Sequence, residues 1–159
     1  MTGDLTHLNA RGEAHIVDIG SKASTRRRAV ARAVLEAQPE TIEAIVGGNL
    51  KKGDAFAVAR IAGIMAAKKT AELIPLCHPI PLTSVEVEIV AEGLVLVVTA
   101  TTETTGQTGV EMEALVAAST AALTLYDMAK ALDRAMTITG VQVLEKSGGK
   151  SGDFRREPK

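Results

Sequence analysis

The chain has 159 residues, a formal net charge of -1 and only 2% aromatic side chains. That length suits one compact domain with its own core. The near-neutral charge and scarce aromatics argue against a nucleic-acid binder, which needs a basic footprint and stacking surfaces.

The opening residues are polar and carry no signal-peptide pattern, and no apolar run is long enough to span a membrane. Cys77 is the single cysteine, so an intrachain disulfide is excluded. These features predict a soluble, cytoplasmic protein that does not enter a membrane. Residues 1–13 read as a mobile arm. Residues 14–19 form a short apolar-rich run that predicts a strand. Ser24 and Thr25 suit a helix cap, and apolar residues at helical spacing predict a helix over 25–38.

Pro39 starts a second helix over 40–46, which Gly47 and Gly48 end. The loop Lys52-Gly53-Asp54 leads into an Ala-rich helix over 55–73, whose small residues predict close packing. Pro75, Pro79 and Pro81 place Leu76, Cys77 and His78 on a stiff loop. Residues 83–91 alternate apolar and polar, Glu92-Gly93 makes a turn, and 94–104 pairs back as a hairpin. A long Ala- and Leu-rich helix follows over 109–134, then a strand over 137–144. The Gly- and Lys-rich tail, with 147–159 as its outer part, reads as mobile. The predicted architecture is α+β: a ferredoxin-like βαββαβ domain with an antiparallel sheet and extra helices in the first crossover. That plan hosts many functions and does not choose among them.

Chemistry-bearing residues concentrate on the last helix. Asp127 and Lys130 are three positions apart and can meet. A solvated surface pair is the bland alternative. The apolar neighbours Leu123, Leu125, Tyr126 and Met128 predict partial burial, which suits proton transfer. Glu113 lies on the same stripe, but fourteen positions of helical rise amount to roughly 21 Å. If Glu113 and Asp127 are both catalytic, the site draws on two subunits, as two such helices about a twofold axis allow.

Glu111 and Glu113 also suit the positive helix start without any catalytic role. Cys77 reads as a small packed side chain rather than a nucleophile or metal ligand, because it has no companion cysteines. His7, His15 and His78 show no metal-ligand spacing, so no metal site is predicted. The segment 146–152, KSGGKSG, combines two lysines with amide-exposing glycines; it fits a phosphate-binding wrap and a flexible tail equally. It is not a P-loop, because the glycine–lysine spacing fails.

Four motifs carry a resemblance that covers almost the whole chain. KGDAFAVARIAGIMAAKKTAELIPLCHP (52–79), TGQTGVEMEAL (105–115), ALTLYDMAKA (122–131) and LEKSGGKSGDF (144–154) resemble the molybdenum cofactor biosynthesis protein C family. The resemblance implies a lyase, a cyclic pyranopterin monophosphate synthase. Its substrate is a small molecule, 3',8-cyclo-7,8-dihydroguanosine 5'-triphosphate, and pyrophosphate leaves. It also implies a homohexamer, a trimer of dimers with sites at the dimer interface. Matched by motif, the implied catalytic residues are Asp127, Lys130 and Lys52. The implied substrate-binding residues include Leu76, Cys77, His78, Met112 and Glu113. Glu111 and Lys146 belong to the same motifs, Lys68 is similar to a family lysine on the Ala-rich helix, and Arg27 and Asp18 match less specifically. No cofactor is required on this reading, and Mg2+ is compatible with the triphosphate. The rival expectations are a non-catalytic nucleotide sensor, or another pterin- or GTP-processing enzyme on the same fold.

Overall fold

The computed structural model describes residues 6–157; the expectations for 1–5 and 158–159 lie outside the described residues. Five strands and four helices follow in the order β1 (Thr25–Glu36), α1 (Pro39–Val46), α2 (Ala55–Ala67), α3 (Thr70–Leu73), β2 (Ser84–Glu92), β3 (Val95–Gly106), α4 (Glu111–Ala129), β4 (Thr137–Ser147) and β5 (Phe154–Arg155). The strands form one sheet in the order β2-β3-β1-β4-β5, with every neighbouring pair antiparallel. The first four strands give the ferredoxin-like βαββαβ arrangement, with α1, α2 and α3 all in the first crossover.

The segment that opens this plan differs from the expected one. Residues 25–38 were expected to be a helix, but Thr25–Glu36 is the central strand, paired along its whole length with β3 and also with β4. Ala and Arg are strong helix formers, and their propensity favours the expected answer. The period-two pattern prevails instead. Arg27, Ala29, Ala31, Ala33 and Leu35 are all buried on one face. Two-sided hydrogen bonding in the middle of a sheet outweighs a preference of tenths of a kcal/mol per residue. Residues 14–19, expected as the first strand, make only one isolated bridge, between Leu8 and Ala14.

Smaller differences have local causes. The helix expected over 55–73 breaks after Ala67, where the Thr70 hydroxyl donates to the Ala67 carbonyl at 3.0 Å. The helix expected over 109–134 ends at Ala129. Beyond it, the buried Asp133 carboxylate accepts hydrogen bonds from the Gln38 and Ala135 amides at 3.0 Å each. The tail expected to be mobile contains β5, which pairs with β4 through Lys146 and Phe154.

Helix α4 lies across β1, β3 and β4, and α2 packs on α4 and β2. Small residues make that approach close, as the composition of both helices predicts. Ala59, Ala117, Ala118, Ala121 and Ala122 are fully buried. At Gly63 an added Cβ would sit 2.9 Å from the Ala117 carbonyl oxygen and 3.3 Å from the Ala121 methyl. Gly63→Leu raises helix propensity but overfills this crossing, so it should still lower unfolding stability by about 1–3 kcal/mol in urea denaturation. An unchanged midpoint would show that the crossing can open without cost.

Candidate active site

The two ends of α4 carry two separate clusters. At its C-terminal end the Asp127 carboxylate accepts from both candidate lysines: Lys130 Nζ at 2.8 Å and Lys52 Nζ at 2.9 Å. Lys52 Nζ also donates to the Asp127 backbone carbonyl at 2.9 Å. The loop before α2 is fixed for this purpose. Gly53 takes a φ of 101°, and Asp54 caps α2 by accepting from the Ala57 amide at 3.0 Å.

The partial burial expected here is absent from the single chain, where the Asp127 side chain is 55% exposed. Leu125 and Met128 point into the core, and Leu123 lies on the outer surface. Hydrogen bonds from Lys130, then Lys52, lower the Asp127 carboxyl to about 2. A carboxylate held so low is a weak base at neutral pH, and its chemical capacity is to fix two ammonium groups.

At the N-terminal end, three segments converge on the first turn of α4. Buried threonines of β3 tie them together. Thr102 donates to the Val110 carbonyl at 2.9 Å, and Thr104 donates to the Pro81 carbonyl at 2.8 Å. The stiff loop expected from its prolines places Leu76, Cys77 and His78 beside Met112 and Glu113, around a cavity of about 270 Å³. His78 Nε2 lies 2.6 Å from the Val17 carbonyl, which sets Nε2 as the protonated nitrogen. Glu113 is 3% exposed. Burial, and then the neighbouring Glu111, push its carboxyl up to about 7, although its own backbone amide opposes the shift. Burial and the adjacent Glu113 also raise the Cys77 thiol.

This cavity adjoins a larger one of about 710 Å³, lined by Lys22, Arg27, Glu111, Lys146 and the 147–151 loop. Lys146 Nζ bridges Glu111 at 3.0 Å and Ser151 Oγ at 2.8 Å. Arg27 is 8% exposed, and its Nε donates to the Gly106 carbonyl at 3.2 Å. Among the described residues no carboxylate pairs with it. Gly148 and Gly149 wrap it with φ of 91° and 84°. A Cβ at Gly148 would run into the Arg26 carbonyl, and one at Gly149 into the Arg27 guanidinium itself. A buried guanidinium without a counter-charge, beside a lysine and exposed glycine amides, is equipped to hold an anion.

Not every sequence candidate joins this groove. Asp18 accepts from the Gly20 amide at 2.8 Å and does not line either cavity. Lys68 lines a third cavity of about 320 Å³, which Glu113 also lines. Lys22, which the sequence motifs do not include, lines both parts of the groove. Gln107 anchors that segment by donating to the Gly20 and Lys22 carbonyls at 3.2 and 3.1 Å. The signal for Gln107 was its place between two glycines in TGQTG; Lys22 carried none beyond its charge.

The electrostatics of the C-terminal cluster give a direct test. The folded Asp127 pKa is depressed, so ionisation favours the native state above the ordinary carboxylate range and that contribution fades as pH falls toward about 2. In NMR titration the Asp127 carboxyl should titrate near 2 in the wild type and move up in Lys130→Met. A wild-type value in the ordinary carboxylate range would contradict the double lysine clamp.

Comparison with known proteins assigns the chain to a family. The family model described as the MoaC family matches residues 16–149. A cyclic pyranopterin monophosphate synthase from Herpetosiphon aurantiacus is 60% identical over 153 residues, covering 95% of this chain and 93% of the relative. One from Thermomicrobium roseum is 56% identical over 156 residues, covering 97% and 94%. With most of the chain matched and relatives similar from end to end, the chain belongs to the MoaC family.

Proposed function

We propose that this chain is a cyclic pyranopterin monophosphate synthase, a lyase of molybdenum cofactor biosynthesis. It converts 3',8-cyclo-7,8-dihydroguanosine 5'-triphosphate to cyclic pyranopterin monophosphate and pyrophosphate. The end-to-end similarity to two synthases supports the activity. The structural observation that carries it is the groove at the α4 N-terminus, where buried Arg27 and Lys146 face one cavity. The triphosphate lies against Arg27, Lys146 and the glycine amides, and these cations offset charge on departing pyrophosphate. The guanine-derived ring lies in the smaller cavity against Leu76, Cys77, His78, Met112 and Glu113.

Lys52 and Lys130 perform the proton transfers that ring opening and closure demand, and Asp127 aims both ammonium groups. The conversion is redox-neutral overall, so the proposal assigns no redox cofactor. Mg2+ is compatible as a companion of the triphosphate. Among the described residues no cluster of three or more His, Cys, Asp or Glu side chains could hold a metal.

One chain does not bring these groups together, because Glu113 and Asp127 stand at opposite ends of α4, roughly 21 Å apart by helical rise. We place the site between two subunits, within a homohexamer built as a trimer of dimers. Exposed Val58, Ile61 and Met65 on α2 and Leu123 on α4 support a covered helical face in the assembly. No helix among the described residues is long and apolar enough to cross a membrane. A cytoplasmic location suits a small-molecule enzyme with a lone cysteine.

The test is direct turnover. Purified protein given the cyclic dihydroguanosine triphosphate should release pyrophosphate and pterin product together, and Asp127→Ala should reduce kcat at least about 100-fold. GTP alone should not react. Binding without chemistry by folded wild-type protein would instead identify a nucleotide sensor.

A further inference from the structure

Glu113 occupies a position that substrate contact alone does not explain. It lies in the wall between two cavities. One is the smaller part of the groove, with Cys77 and His78; the other is the cavity lined by Lys68, Thr70, Ala71, Glu72 and Pro79. Among the described residues only Glu113 and Ile80 line both. Among the described residues Glu113 has no ion-pair partner, although it sits in the first turn of the longest helix, where a carboxylate is favoured. Glu111 on the same turn is already engaged with Lys146 at 3.0 Å, so it repels a second negative charge. Burial and this repulsion both oppose ionisation.

The ionisable groups around it divide between the two sides. On the groove side stand His7, Lys22, Glu111, Cys77 and His78. On the rear side stand Lys68 and Glu72, whose cavity opens between α3 and the loop at Pro79–Pro81. A buried acid between a ligand cavity and a second cavity with its own charged groups is placed to move protons from one to the other.

We propose that Glu113 is a proton relay, giving its proton to the ligand in the groove and regaining one through the Lys68–Glu72 cavity. This rests on the synthase reading for the identity of the ligand. In the step, the O–H bond of Glu113 breaks and a new bond to hydrogen forms on a heteroatom of the opening purine ring. The electron pair stays on the carboxylate. A proton from bulk solvent, passed along through the Lys68–Glu72 cavity, then restores the Glu113 O–H bond using the carboxylate's electron pair. Because the donor is the acid form, the step weakens as pH rises through about 7.

Two variants measured against pH test the relay with the cyclic dihydroguanosine triphosphate as probe. Glu113→Gln keeps shape and hydrogen-bonding capacity but has no proton to transfer. It should hold KM within about 3-fold while kcat falls about 100-fold and the alkaline limb near 7 disappears. Ala71→Leu fills the rear cavity without entering the groove. It should lower kcat at unchanged KM and enlarge the solvent deuterium isotope effect. Wild-type kcat and pH profile in Glu113→Gln would overturn the relay. So would joint loss of affinity and turnover in that variant with Ala71→Leu indistinguishable from wild type, which marks a simple contact. If the wild type turns over no substrate, the synthase reading fails. Isotope-edited infrared titration of Glu113 then decides the relay alone: a carboxylic-acid band must persist to about 7 and respond to Ala71→Leu.

Discussion

The constraint on which this structure depends is the close seating of one straight helix on a sheet. Helix α4 buries alanines along its length, and α2 crosses it where Gly63 leaves no room for a side chain. Close packing holds α4 rigid, and a rigid helix of 19 residues holds its ends far apart. Both ends bear ionisable groups with displaced titration. The separation is therefore a built feature, and in the proposed dimer it positions each half-site for the other subunit.

The two ends place carboxylates in opposite situations. Asp127 is open to solvent and clamped by two lysines, which keeps it ionised. Glu113 is enclosed, has no ion-pair partner among the described residues and lies near another carboxylate, which favours the acid. One side chain is held as an anion between two lysines; the other is pushed toward the acid form, up to about 7. Environment separates their roles, as expected when burial and neighbouring charge act in different directions on similar groups.

Much of this was legible in the sequence, for identifiable reasons. The β2–β3 hairpin announced itself through alternation about Glu92-Gly93, and the Asp127–Lys130 contact followed from helical spacing. The prolines around Leu76–Cys77–His78 signalled a stiff loop, and the bonds that anchor it come from segments distant in sequence. The Thr25–Glu36 strand was misread because Ala and Arg serve both periods, and only pairing partners distant in sequence decide between them. Arg27 was visible only as a loose match to the basic position that the resemblance implies. Its burial arises because Gly148 and Gly149, far along the chain, fold around it. The exposure of Asp127 was equally hidden, since apolar neighbours along a helix do not say which of them face the core.

The central claim is that one catalytic centre is assembled from the opposite ends of α4 in two subunits. Co-expression of Asp127→Ala and Lys146→Ala chains, each inactive alone, tests it most directly. Random pairing gives mixed dimers in which one of two sites is wholly wild type, so the mixture should recover about a quarter of wild-type turnover. No recovery, with mixed dimers shown to form, would mean that each chain carries its own site and would contradict the account.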